Sequence, residues 1–389
     1  MESWVFIPFE SAVQKVTYTK KIPRKQFLTD GAYPIISQES DFINGYWDNS
    51  EDVFSVDSPV VIFGDHTKII KHIDFDFVLG ADGVKILKPI ETLSSKFFAY
   101  FLNAAPVADL GYARHYRLLK EITVPVPPRE EQERMVAILD EVFADIEQVR
   151  AKTEQNLKNA RELFESYLQQ VFSKDIKNYN QVALAEITKT ISDGDHSAPP
   201  KSSEGIPFIT ISNIDKNTNE IDFSSTFKVP EDYYEKLKPN RKPIAGDVLY
   251  TVTGSYGIPV LVKKEKKFCF QRHIGLIRPN SKAESEWLYY LLMSPIVFKQ
   301  AEDGATGTAQ KTVSLKVLRN ILVPETPLGI QKEEVKKLKL VDAKTKNLES
   351  VYSAKLAALD ELKKSILQKA FSGELTKISD NKIKQGALA

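Results

Sequence analysis

The chain has 389 residues, 42% hydrophobic and 27% charged, with a formal net charge of +1. That length accommodates two or more domains with a substantial core, and that composition is globular, not fibrous or disordered. Near-neutrality neither demands nor excludes a nucleic-acid partner, because charge can be segregated onto one face.

A single cysteine, Cys269, excludes an internal disulfide and suits a reducing, cytoplasmic compartment. Lying between Phe268 and Phe270, it reads as core. No apolar run approaches the ~20 residues of a membrane span. Met1-Glu2-Ser3-Trp4 lacks the basic-then-apolar order of a signal peptide.

In chain order, a basic strip occupies residues 20–25. From Gly31 onward, short runs rich in β-branched and aromatic residues predict strands at 33–37, 53–56, 59–63 and 84–87, with an alternating run at 74–77. Residues 94–103 read as a short helix. Residues 1–124 are therefore a compact, strand-dominated α/β-mixed domain. Pro125-Val126-Pro127-Pro128 ends it, and Glu130, Glu131 and Glu133 follow where a helix N-terminus favours acids. Apolar residues then recur at threes and fours from Met135 to Val171, which predicts an amphipathic helix of about forty residues, roughly 60 Å long. Asn178-Tyr179-Asn180 breaks it.

The second half repeats the first. Ile122, Val124, Pro125, Pro128, Gln132, Val142, Leu157, Leu163 and Phe172 match Ile321, Val323, Pro324, Pro327, Gln331, Val341, Leu356, Leu362 and Phe371 without a gap. An ungapped internal match of this length marks a doubled unit. The globular halves echo each other more faintly: the stretch at 31–36 in 205–210, 58–63 in 245–250, and 96–102 in 286–292. The domain boundaries expected are 1–124, 125–174, 175–323 and 324–375, with a polar tail at 376–389. Two similar helices of this length, each following a divergent head, favour packing on each other as an antiparallel pair.

The motif Ile122-Thr123-Val124-Pro125-Val126-Pro127-Pro128-Arg129-Glu130-Glu131-Gln132 and the terminal Ile366-Leu367-Gln368-Lys369-Ala370-Phe371-Ser372-Gly373-Glu374-Leu375, in this order of head, junction and helix, resemble the specificity subunit of Type I restriction–modification systems. The second junction, 323–331, is the looser match. The resemblance covers the whole chain. It implies an α+β fold: two tandem mixed α/β target recognition domains separated by two long helices that form an antiparallel, pseudo-twofold coiled coil. Each head would read one half of a bipartite site in double-stranded DNA. The helices would set the gap and dock two methylation subunits, and through these two restriction subunits. The chain would be non-catalytic and hold no cofactor. S-adenosylmethionine, ATP and Mg²⁺ would belong to the partner subunits, and no membrane would be involved.

DNA contact needs cations for phosphate and Arg, Lys, Asn, Gln or hydroxyl side chains for base edges. Each head carries such residues in a Gly-containing loop before its junction. In the first these are Arg114, His115, Tyr116 and Arg117, arginines interleaved with aromatics. In the second they are Thr306, Thr308, Gln310, Lys311 and Thr312, a loop that also resembles the family's DNA-facing one. Loops after strands add His66, Thr67 and Lys68, then Ser255 and Tyr256, then Arg272 and His273. Asp193-Gly194-Asp195-His196 resembles a loop common in the family's heads, so His196 joins the set. Apolar helix residues Phe164, Tyr167, Leu168, Leu367 and Phe371 are expected to dock partner helices.

Enzyme signals are weak. The five histidines show no paired metal-ligand spacing, and there is no Gly-x-x-x-x-Gly-Lys-Ser/Thr loop or Asn-Pro-Pro-Tyr-like segment. Asp247 with Glu265-Lys266-Lys267 could in principle hold Mg²⁺, so an autonomous nuclease is the competing reading, beside a coiled-coil scaffold for proteins alone.

Overall fold

The structure, a computed structural model, describes residues 4–372 apart from 82, 112, 197 and 309. The expected tail, residues 373–375 of the terminal motif, and Tyr112 and Ala309 of the candidate loops lie outside the described residues. The chain divides into two compact units: residues 1–153 with 354–389, and residues 154–353.

In the first unit an antiparallel sheet runs in the order Val13–Gln14, Val84–Pro89, Val60–Gly64, Ile70–Ile73. A second sheet contains Tyr33–Ile36, which pairs in parallel with Phe77–Gly80 and antiparallel with Gly45–Trp47. The strands anticipated at 33–37, 59–63 and 84–87 are present. The alternating run at 74–77 begins its strand only at Phe77, because Asp76 turns its carboxylate outward to accept the Val56 N–H at 2.7 Å and the Ser55 hydroxyl at 3.2 Å. The short helix is Ser95–Ala104, with the Ser94 hydroxyl accepting the Phe97 N–H.

The second unit repeats this plan. Its antiparallel sheet runs Thr188–Asp193, Ile274–Pro279, Val248–Thr251, Pro259–Leu261. Ile206–Ile209 pairs in parallel with Cys269–Phe270 and antiparallel with Phe227–Val229. Cys269 is buried, as its flanking phenylalanines suggest, and burial pushes its thiol up to about 12. Both heads close through one small ladder ahead of each long helix: Val5–Pro8 on Thr123–Val126, and Gln181–Ala183 on Leu322–Pro324.

The long helices are Arg129–Asn178, 50 residues, and Leu328–Phe371, 44 residues. Each starts just after a proline pair or single proline, and neither contains an interior proline. The first is longer than its apolar run suggests, because nothing between Ser173 and Asn178 breaks it and Asp175 still faces inward. The first unit's core joins Phe9, Phe63, Phe97 and Phe98 to Met135, Leu139 and Phe143 of one long helix and Leu359, Leu367 and Ala370 of the other. The second unit's core joins Tyr250, Trp287 and Leu288 to Leu168, Val171 and Phe172, and to Val335 and Leu338. Removing this much apolar surface from water is the main source of stability in each unit.

The glutamine that both junction motifs carry explains how helix and head are joined. Gln132 is fully buried. Its amide nitrogen donates to the carbonyls of Thr92 and Pro127, each at 2.8 Å, and its oxygen accepts the Ser94 N–H at 2.7 Å.

Candidate nucleic-acid interface

In the first head, the strand Val60–Gly64 delivers the chain to a turn at residues 65–68. Gly64 is required there, since a Cβ would lie 2.2 Å from the Thr67 hydroxyl. Asp65, buried, ties this turn to the loop before the junction. Its carbonyl accepts the His115 N–H at 2.7 Å and its carboxylate accepts the Tyr116 N–H at 2.8 Å. Gln38 braces the turn from below, accepting the His66 N–H at 3.1 Å and, through its carbonyl, the Thr67 hydroxyl at 2.6 Å. Lys68 adopts a left-handed backbone (φ 60°) and reaches Asp109 at 3.0 Å.

The sequence-predicted residues His66, Thr67, Lys68, Arg114, Tyr116 and Arg117 are thus brought together at one end of the sheet. Thr67, Arg114 and Arg117 are exposed. The Tyr116 ring is half-buried against Phe9, with the Lys85 and Lys120 ammonium groups 5.1 and 5.9 Å from its centroid. His115 is different: it is buried, and both ring nitrogens are bonded inside the head.

In the second head the corresponding turn follows Val248–Thr251, at the same end of the equivalent sheet. Val252 N–H donates to the His273 carbonyl at 2.9 Å, Gly254 N–H to the Lys311 carbonyl at 3.1 Å, and Val313 N–H to the Val252 carbonyl at 2.8 Å. Thr306 and Thr312 exchange reciprocal backbone bonds at 3.0 and 2.8 Å, closing a tight loop. Gly307 permits it: its φ is +108°, and a Cβ would meet the Gln310 carbonyl oxygen at 2.5 Å. Thr306, Thr308, Gln310 and Lys311 are exposed at its rim, and Thr312 is half-buried at its base. Ser255 and Arg272 are exposed, His273 is half-buried, and Tyr256 stacks on Phe298 at 5.7 Å between centroids.

Asp195 bridges to Gln271, which brings His196 to the same end. The exposed imidazole of His196 is held by Asp193 at 2.7 Å. Two anchors of that turn have no signal in the sequence. Tyr233 donates its hydroxyl to Asp195 at 2.7 Å, and Arg241 reaches Asp193 at 3.2 Å and Asp195 at 3.5 Å. Both lie between the strands Phe227–Val229 and Val248–Thr251.

The helix residues expected to dock partners pack into their own units. Leu168 and Leu367 are buried, while Phe164, Tyr167 and Phe371 are half-buried against the same cores, Phe371 edge-on to Phe97 and Phe101. These side chains lie on the helix faces turned toward the heads. The exposed apolar helix residues include Val149 and Leu163, and 199 positions later Leu348 and Leu362.

Asp247 has no room for Mg²⁺. It is buried, doubly bonded to Arg278 at 2.7 and 2.8 Å, and also accepts the Ile244 N–H at 2.9 Å. Among the described residues no cluster of three or more His, Cys, Asp or Glu is placed to hold a metal, and no helix is long and apolar enough to cross a membrane.

The model of the Type I restriction modification DNA specificity domain matches residues 2–159 and again 173–357. The chain belongs to that family. Among relatives of this specificity subunit, the EcoKI specificity subunit of Escherichia coli (strain K12) is 24% identical, over 96% of this chain and 90% of the relative. The EcoBI specificity subunit of Escherichia coli is 25% identical over 67% of this chain, and the match spans only 60% of that relative's length.

The fold agrees. A chain from a structure describing complex assembly and conformational transition of the type I R-M system aligns at TM-score 0.70 and 18% identity, covering 96% of this chain and 98% of that one. The HsdS subunit from Thermoanaerobacter tengcongensis aligns at TM-score 0.52 and 19% identity, covering 96% and 97%. Family membership makes this a specificity subunit and not a catalytic one, which removes the autonomous-nuclease reading.

Proposed function

We propose that the chain reads DNA sequence for a type I restriction–modification complex, each head taking one half of an asymmetric, gapped site. The observation that carries this is the repeated placement of unlike side chains. In both heads the turn after the central strand meets the loop before the junction at the same sheet end. One head presents Thr67, Lys68, Arg114 and Arg117 there, and the other Ser255, Thr306, Gln310 and Lys311. A common scaffold with different hydrogen-bonding groups is what two different half-sites require.

The long helices act as an antiparallel coiled coil that sets the gap, with half-sites roughly one DNA turn, ~34 Å, apart. Ion pairs support this direction. Within the first unit, Glu147 and Arg150 of one helix meet Lys363 and Asp360 of the other; within the second, Arg161 meets Glu349 at 3.4 Å. Val149 with Leu348, and Leu163 with Leu362, form matching exposed apolar positions that dock two adenine-methylating subunits, and through these two restriction subunits. Adenine methylation requires the base to be flipped into a partner's pocket. S-adenosylmethionine, ATP and Mg²⁺ are held by those partners, in the cytoplasm.

Genome-wide mapping of N6-methyladenine in cells holding the partner subunits, with and without this chain, tests the proposal. A two-part asymmetric motif that vanishes without the chain is expected. A palindromic motif, or plasmid cleavage by the purified chain with Mg²⁺ alone, overturns it.

A further inference from the structure

His115 fills in the first head the position that Val313 fills in the second. Both are buried, and each backbone N–H donates to the residue just beyond the central strand: His115 to Asp65 at 2.7 Å, Val313 to Val252 at 2.8 Å. An imidazole in an otherwise apolar position costs desolvation unless both ring nitrogens are bonded. Here both are. Nδ1 lies 3.0 Å from the Asp65 carbonyl, which can only accept, so Nδ1 carries the proton. Nε2 accepts the Leu110 N–H at 3.0 Å, so it is unprotonated and its lone pair is engaged in that bond. One tautomer satisfies both partners.

The two heads need different devices for the same task. The second head's loop closes on itself through the reciprocal Thr306–Thr312 bonds. Among the described residues, the first head's loop shows no such reciprocal pair; its far arm, at Leu110, is tied to the rest by the His115 ring. Next to Leu110, Asp109 holds Lys68 at 3.0 Å and accepts the Gly111 N–H at 2.9 Å. The ring therefore links the turn that bears Thr67 and Lys68 to the loop that bears Arg114 and Arg117.

We infer that His115 is a positioning residue for the first head. Its imidazole, held as the Nδ1–H tautomer between Asp65 and Leu110, sets the spacing of Lys68, Arg114 and Arg117 on DNA. This rests on reading the two loops as DNA-facing, and the test separates the two claims.

The full chain in complex with its methylation partners is compared as wild type, His115→Leu, His115→Asn, His115→Gln and the double variant Arg114→Ala/Arg117→Ala. Affinity for the duplex found by methyladenine mapping is measured across salt, and exchange of the Leu110 amide is measured without DNA. His115→Leu, which loses both ring bonds, is expected to speed Leu110 exchange and weaken target binding about tenfold. The salt slope should stay unchanged, and discrimination should be lost in one half-site only. Asn keeps the donor to Asp65 and Gln keeps the acceptor for Leu110, so each should fall in between.

Faster Leu110 exchange with wild-type affinity and discrimination overturns the positioning role, while weakened binding by the double arginine variant leaves the DNA-facing reading standing. Unchanged binding by the double arginine variant overturns that reading itself. A salt slope shallower by about one in His115→Leu would mark a lost phosphate contact and also overturn the positioning role. Should the Leu variant not fold, the Asn and Gln variants carry the same comparisons.

Discussion

Gln132 and Gln331 are buried side chains that each hold two backbone carbonyls and one backbone N–H, at equivalent places in the two units. Gln331 donates to the Lys282 carbonyl at 2.8 Å and the Thr326 carbonyl at 2.7 Å, and accepts the Glu284 N–H at 2.8 Å. Gln132 does the same with Thr92, Pro127 and Ser94. Replacing either by Met should leave three buried polar groups unpaired and cost about 2–4 kcal/mol, read as lost hydrogen-exchange protection at Ser94 or Glu284. Replacement by Glu should be worse, because a carboxylate faces two carbonyls with no proton to give. A Met variant with wild-type protection would refute this account of the junction.

Asp175 is buried near the C-terminal end of the first long helix, where an acid is also poorly placed. Burial raises its pKa, and the Thr326 hydroxyl bond at 2.9 Å offsets this only in part. Ionising it therefore costs more in the folded chain than in the unfolded one. Its contribution is most favourable below the ordinary carboxylate value near 4 and is lost as pH rises through the folded value. Asp175→Asn, which still accepts from Thr326, should raise the thermal midpoint at pH 7, with the gain vanishing below about pH 4. Equal midpoints at pH 7 would contradict this.

Asp247→Ala should strand the Arg278 guanidinium, whose side chain is 15% exposed, and destabilise the second head by about 3–5 kcal/mol. Urea unfolding measures this. Because the pair is structural, any loss of DNA binding should track the fraction unfolded.

Lys311→Ala should weaken binding to all sequences alike and make the plot of log affinity against log salt shallower by about 0.9 if Lys311 meets one phosphate. Gln310→Ala should instead relax discrimination at one base position by about 1–3 kcal/mol. Competition binding at two or more salt concentrations distinguishes these outcomes, and an unchanged slope for Lys311→Ala would remove it from the interface.

Leu163→Asp with Leu362→Asp should abolish capture of methylation subunits while leaving DNA affinity of the chain intact, because both side chains are exposed, 60% and 47%. Capture measured by sedimentation would be unaffected if the partners dock elsewhere.

The long helices, the doubled plan and the strands Tyr33–Ile36, Val60–Gly64 and Val84–Pro89 were legible because they rest on short-range periodicity and on proline and glycine placement, whereas short edge strands such as Val13–Gln14 and Lys21–Ile22 were not. What escaped depends on contacts far apart in sequence. Nothing local shows that Asp65 and His115, 50 positions apart, share a hydrogen bond. The arginine–aromatic interleaving around His115 therefore reads as an exposed strip, although the ring points inward. Similarly, Phe164 and Leu163 are equally apolar in sequence. Only the packing of Phe164 on Tyr290, 6.3 Å between ring centroids, shows which of the two faces the head.

Every group that the two junction glutamines grip belongs to the main chain. Ser94 and Glu284, or Thr92 and Lys282, are interchangeable in that role because their side chains are not consulted. A foreign head needs only a carbonyl and an amide at the right place to seat on the same helix. Grafting a different head onto either helix should therefore preserve all three junction bonds, whatever side chains that head carries.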